Sequence, residues 1–226
     1  AQEQKFQKEI EKAGKTAEYG YILPQFTEKY AQIQDYALAV DLFSELVQRN
    51  IDLLANGYKI LQLQNALHEK GTQSFNDRKK NLLNNFETVF KNYDVNVDKA
   101  VFEKAVVYYA QAMPKTLLSP NLQQFEIHTL ADKLYKESFL ASKTEMEKVL
   151  NLPDEVFERR LKNDIGVQFV QQIVAHFYGT VVPTYRQLDS EITALQRTYM
   201  KAILEFSKPQ DRIFPDANST LRVTYG

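Results

Sequence analysis

The chain has 226 residues, 44% of them hydrophobic and 25% charged, a balance that suits a soluble globular protein with a sizeable core. Its 28 Lys and Arg against 29 Asp and Glu leave a formal charge of -1, which excludes the long-range positive field of a nucleic-acid binder or a polybasic membrane binder. Cysteine is absent, excluding disulfides, thiolate nucleophiles and Cys-based zinc sites, and no apolar run approaches the roughly 20 residues that span a bilayer.

In chain order, Ala1 to Lys5 has neither an initiator Met nor the layout of a signal segment, and Phe6, Ile10 and Ala13 already repeat with a helical period. The chain is therefore expected to begin inside an element. Tyr19, Leu23, Phe26, Tyr30 and Ile33 form one apolar stripe, with Pro24 in its first turns. Leu38, Leu42, Leu46, Ile51, Leu54, Tyr58, Leu61 and Leu67 continue the period to Gly71, as one long helix bent near Asn56-Gly57 or as two short ones. Phe75 to Tyr93 predicts a further long helix, interrupted by Asp94 to Val97. Asp98 is placed to cap a new one through Val101, Phe102, Val106, Tyr109 and Met113. Pro114 and Pro120 bracket a turn before the apolar pattern Leu122, Phe125, Ile127, Leu130, Leu134 and Tyr135. A helix at Thr144 to Leu150 is stopped by Leu152-Pro153. Residues 154 to 179 predict one helix ending near Gly179, and Leu188, Ile192, Leu195, Tyr199, Ile203 and Phe206 give the clearest of all, ended by Lys208-Pro209.

In the tail, Leu221, Val223 and Tyr225 alternate with Thr220, Arg222 and Thr224, the period of a half-buried strand for which the preceding sequence offers no partner. The expected fold is all-α, an irregular bundle of roughly seven to nine helices with a short extended C-terminal segment. A helical domain is expected over residues 1–208, and a linker with a first strand over 209–226.

Motifs for chemistry are scarce. No Gly-x-Ser-x-Gly elbow is present, and His68, His128 and His176 have no neighbours in a triad or ligand pattern, so they read as structural histidines. Three residues before them stand Asn65, Phe125 and Ile173, which removes the Glu-x-x-His of a di-metal bundle. His68-Glu69 lacks the second imidazole of a zinc-protease helix. Asp94, Asn96 and Asp98 alternate like the start of an EF-hand loop, but Lys99 stands for the turn glycine and Ala105 for the bidentate Glu. Arg78-Lys79-Lys80 and Glu158-Arg159-Arg160 read as solvated faces, and Asn218-Ser219-Thr220 as a glycosylation acceptor or a turn. No catalytic, cofactor-binding or metal-ligating residue is assigned on these grounds, and no cofactor is expected.

The tail carries a resemblance. Phe214-Pro215-Asp216-Ala217-Asn218-Ser219-Thr220-Leu221-Arg222-Val223-Thr224-Tyr225-Gly226 resembles, position by position, the signature of the bacterial dipeptidyl-peptidase 7 and dipeptidyl-peptidase 11 family. Glu3 to Ile10, Glu18-Tyr19-Gly20-Tyr21-Ile22-Leu23-Pro24 and Leu195-Gln196-Arg197-Thr198-Tyr199-Met200 are similar, in order, to other family segments, while Asp164-Ile165-Gly166 departs from an Asp-Pro there. The resemblance implies a chymotrypsin-like double β-barrel with a Ser-His-Asp triad and a helical domain inserted between the Asp and the Ser, capping the cleft. His and Asp would then lie upstream of Ala1 and the serine downstream of Gly226, so no triad residue is carried over. The family's amine-binding Asn lies in an Asn-Tyr-Trp-Lys-like stretch. The look-alike Asn56-Gly57-Tyr58-Lys59 stands on the wrong side of the Tyr-Gly segment, and the role is not transferred.

The reading is a non-catalytic helical cap of a serine dipeptidyl aminopeptidase that releases dipeptides from peptide amino termini. Its partners would be the β-barrel of its own chain and a peptide substrate, with no nucleic acid or membrane. The resemblance also implies a periplasmic or cell-surface location and a homodimeric parent. Two other readings are an independent helical interaction protein and a metal-binding helical enzyme.

Overall fold

The computed structural model describes residues 2–123 and 126–206, with backbone only at residues 2 and 69–72. Among the described residues every regular element is helical: α1 (Gln2–Lys12), α2 (Thr16–Tyr19), α3 (Ile22–Phe43), α4 (Asp52–Asn84), α5 (Phe86–Val89), α6 (Val95–Ala112), α7 (Ile127–Glu137), α8 (Lys143–Leu150), α9 (Asp154–Lys162), α10 (Ile165–His176) and α11 (Val182–Phe206). Two of these eleven, α2 and α5, are single four-residue turns, leaving nine longer helices, so the all-α expectation holds. The predicted strand, the boundary at residues 208–209 and the signature Phe214 to Gly226 all lie outside the described residues.

The chain divides into two compact units, one made of residues up to Ile33 and from Gln187 on, the other of Gln34–Arg186. In the first, Phe6, Ile10, Tyr19, Ile22 and Ala202 are buried together, with Leu23, Phe26, Tyr199, Ile203 and Phe206 packed around them. The α11 stripe is thus turned slightly from its predicted direction, with the small Ala202 at its centre and Tyr199 and Ile203 on its flanks. Phe6 and Phe26 both meet the Tyr199 ring edge-on, at 4.7 and 5.9 Å. The Tyr19 hydroxyl donates to Glu205 Oε2 at 2.6 Å, and Lys15 pairs with the same carboxylate.

In the second unit, α4 begins with Leu53, Leu54, Ala55, Asn56 and Gly57 all buried. A helix apolar on every side must lie in the core. It packs on α10, which is buried along Gly166, Val167, Phe169, Val170 and Ile173. Gly57 is the reason they approach closely, because a Cβ there would sit 2.7 Å from Val170 Cγ2. It is therefore a contact, and the predicted bend at Asn56-Gly57 is replaced by a break at Asn50-Ile51, where Ile51 is extended before α4 starts. The helical backbone continues through Gly71 to Asn84, but not as a straight rod: residues 59–63 and 78–89 line one cavity, whereas the 19 positions from Lys59 to Arg78 would span about 28 Å in a straight helix. Beyond Gly71, Phe75 is fully buried against Phe157.

Two more boundaries differ from expectation. The helix predicted over residues 154–179 is two, because Asp164 accepts hydrogen bonds from the Gly166 and Val167 amides and so starts α10 anew. Gly179 does not end α10, whose backbone passes through a wider π-helical turn, Phe177–Val181, into α11. A second π-helical turn, Ser44–Arg49, follows α3, and Phe43 at its start stacks on Phe177, ring centres 3.7 Å apart and planes within 3°.

Candidate functional site

The three histidines are spread over the second unit. His68 Nε2 lies 3.2 Å from Glu158 Oε1, His128 Nδ1 3.2 Å from Glu103 Oε2, and His176 Nε2 reaches the Leu117 carbonyl at 3.2 Å. None has a serine or threonine hydroxyl as a partner among the described residues. Nor do the described residues contain a group of three or more His, Asp or Glu able to hold a metal ion. No helix among them is long and apolar enough to cross a membrane.

The EF-hand-like string is taken apart by its backbone. Asp94, not Asp98, is the N-cap of α6, accepting from the Asn96 and Val97 amides. Asp98 lies in the first turn and points away from its own helix, to α4. Its Oδ1 accepts from the Asp52 amide at 2.7 Å, and its Oδ2 from the Leu53 amide at 3.0 Å and the Tyr135 hydroxyl at 2.7 Å. The N-cap of α4 is Ile51, which has no side-chain acceptor, so Asp98, 46 positions beyond Asp52, supplies the missing one. Asp164 is the other buried carboxylate, with four donors: Ser138 Oγ, the Phe139 amide, and the Gly166 and Val167 amides of α10. Arg160 Nη1 approaches it at 3.6 Å while its guanidinium lies over the Phe139 ring, so the Glu158-Arg159-Arg160 cluster is partly structural.

Asn56-Gly57-Tyr58-Lys59 is divided between core and surface. Asn56 is 1% exposed and donates to the Leu140 carbonyl at 3.3 Å, while the Tyr58 hydroxyl shares a 2.8 Å hydrogen bond with that of Tyr178. Tyr178 is pushed up to about 12, first by that bond and then by burial. Burial pushes Tyr93, Tyr109 and Tyr135 up further, and for Tyr93 and Tyr135 the Asp98 charge adds to it. In each of these the neutral phenol is the form the fold favours. Their contribution to stability is complete below the unfolded value near 10 and is lost as pH rises through the folded values. In an alkaline spectrophotometric titration these three of the 13 tyrosines should ionise late, together with loss of helix, and Tyr178 and the Glu205-bonded Tyr19 should also titrate above an exposed tyrosine. A single transition of all tyrosines near pH 10 with the helix intact would refute this.

Open cavities are the remaining candidates. One of about 440 Å³ lies in the first unit between Leu23, Phe26, Tyr30, Gln196 and Tyr199. In the second unit, one of about 380 Å³ lies beside Leu42, Leu46 and Tyr108. Another, of about 420 Å³, is lined by Lys59, Gln62 and Leu63 and by Arg78, Asn81, Leu82, Asn85 and Val89. The sequence pointed to none of them. The only local signal for the last is that each stretch keeps i, i+3, i+4 spacing, at 59, 62, 63 and at 78, 81, 82, which puts each set on one helix face.

Comparison with known proteins supplies the context. The chain is 58% identical over 225 residues to an Asp/Glu-specific dipeptidyl-peptidase of Capnocytophaga gingivalis, covering 100% of this chain and 32% of that protein. It is 40% identical over 224 residues to an Asp/Glu-specific dipeptidyl-peptidase of Flavobacterium psychrophilum, covering 99% of this chain and 31% of that protein. To a dipeptidyl-peptidase 7 of Capnocytophaga gingivalis it is 24% identical over 242 residues. The chain thus spans about a third of the length of these relatives. Since the Peptidase S46 model matches residues 1–226 from end to end, the chain belongs to the Peptidase S46 family.

Proposed function

We propose that the chain is the non-catalytic helical cap of an Asp/Glu-specific serine dipeptidyl-peptidase. The observation that carries this reading is the 58% identity, along the whole chain, to a relative of that specificity, against 24% to a dipeptidyl-peptidase 7. A match of this extent also argues against an independent interaction domain with a coincidental signature. In the proposed parent a Ser-His-Asp triad outside this chain transfers the acyl group. The helices close the far end of the cleft, so that only a free amine two residues from the scissile bond fits, which is specificity by exclusion. The partners of the chain would be the β-barrel of the same polypeptide and the peptide. The parent is proposed to act in the periplasm or at the cell surface.

The test is turnover of dipeptidyl substrates by the full-length protein. Substrates with Asp or Glu before the cleaved bond should be preferred about tenfold or more over those with Leu, since a site built for a charged group rejects an isostere lacking it. A serine-directed inhibitor should abolish the activity, and the 226-residue chain alone should show none. Inhibitor-sensitive turnover by that chain alone would overturn the assignment as a non-catalytic part, and a preference for Leu would overturn the specificity.

A further inference from the structure

We propose that the outward face of α6, with the groove beside it, is the surface on which the rest of the same polypeptide docks. α6 carries two apolar stripes. One, Phe102, Val106 and Tyr109, is buried in the core of the second unit. The other, Val97, Val101 and Tyr108, repeats at spacings of four and seven, which keeps it on one helix face, and its residues are 61, 38 and 66% exposed. Of the eight exposed residues of this helix only Lys104 is charged. Neighbouring helices are different: the exposed residues of α9 are Glu155, Arg159 and Lys162, and four of the six on α7 are charged. A helix apolar on two sides is suited to being covered on both. Among the described residues only the first stripe is covered.

The stripe leads into the groove of about 380 Å³, which Ala105 and Tyr108 of α6 line together with Leu42 of α3 and Leu46 of the π-helical turn after it. Leu38, one turn before Leu42 on α3, is exposed as well. Glu45 also lines the groove, but its carboxylate is engaged by Arg49 and Asn50. Aliphatic and tyrosine side chains with charge depleted at the centre are the composition of a permanent interface, and a partner that fits it presents an apolar patch of its own. Length points to the occupant. The chain spans about a third of its relatives, so in a protein of that size about two-thirds of the polypeptide lies outside it and is tethered to it. A tethered segment acts at an effective concentration on the order of millimolar, which favours it over any free partner. The face itself is read from α6 alone, whereas its cover rests on the reading of the chain as part of a longer peptidase.

The experiment uses the full-length protein with the photo-crosslinker p-benzoylphenylalanine in place of Tyr108, prepared as an equal mixture of 14N- and 15N-labelled molecules, irradiated and mapped by mass spectrometry. The crosslinked peptide should come from outside these 226 residues, and its two halves should carry the same isotope, as expected for one polypeptide. Pairs of mixed isotope would show that a second copy covers the face, and crosslinks confined to the 226 residues would show that nothing outside them does; either result overturns the proposal. Single substitutions Val97→Cys and Val101→Cys give a second reading that does not depend on the bulky crosslinker. In the native full-length protein each thiol should react with a maleimide on the order of tenfold or more slowly than in the urea-unfolded protein, and equal rates in the two states would overturn the docking face. Turnover of dipeptidyl substrates, followed in the unsubstituted protein, reads the peptidase proposal separately: its absence with the same-isotope crosslink retained would remove that reading and leave the docking face in place.

Discussion

Asp164→Ala should destabilise the chain by about 3–5 kcal/mol, the size of a broken buried network. The carboxylate is fully buried and accepts from Ser138 Oγ at 2.6 Å, from the Phe139 and Gly166 amides at 3.0 Å and from the Val167 amide at 3.1 Å. Truncation leaves three amides and a hydroxyl without their acceptor. It also removes the N-cap of α10, the helix on which α4 packs. Each orphaned buried donor costs about 1–3 kcal/mol, though such losses overlap within a network. Asp164→Asn should cost less, about 2 kcal/mol, since its oxygen still serves the α10 amides while its NH2 faces another donor. Urea unfolding is the measurement, and a loss below about 0.5 kcal/mol for the alanine variant, the size of a neutral surface change, would show that the network does not hold α10.

Asp98→Ala should cost about 2–4 kcal/mol, and by a different route. Asp98 joins three helices, capping α4 from α6 and taking the Tyr135 hydroxyl of α7. Its loss strips α4 of an acceptor that no local residue can replace, because Ile51 stands at the cap position. A second readout identifies the cause. The Tyr135 hydroxyl is held up first by burial and then by the Asp98 charge and hydrogen bond, so Asp98→Asn should let Tyr135 ionise at lower pH while leaving it above an exposed tyrosine. An unchanged Tyr135 titration, or an α4 as protected in hydrogen exchange as before, would show that the contact is incidental.

Most of the fold was legible because helical periodicity is a local property. α1, α8 and the long α11 stand where their apolar spacing placed them. The stop at Pro153 also holds, since a missing N–H and a fixed φ act on the chain itself. Glycine was misread for the converse reason. Its local meaning is a turn, yet Gly57 lies in mid-helix because Val170 lies against it. The candidate cavities were hardly legible at all. Lys59 and Arg78 stand 19 positions apart, and Arg78-Lys79-Lys80 resembles any solvated face until the fold brings the two stretches to one cavity.

By itself, then, the sequence determined the helical class, the stripes that form the two cores and, through its family signature, the membership that the whole-chain match bears out. These follow from spacing along the chain and from residue identity. Only the tertiary structure decided that Asp98 caps a helix other than its own, that Asp164 divides one predicted helix into two, and that residues 59–63 and 78–89 line one cavity. Such facts belong to contacts between residues distant in sequence, where a buried carboxylate takes whichever donors the packing presents, and no periodicity within one helix records them.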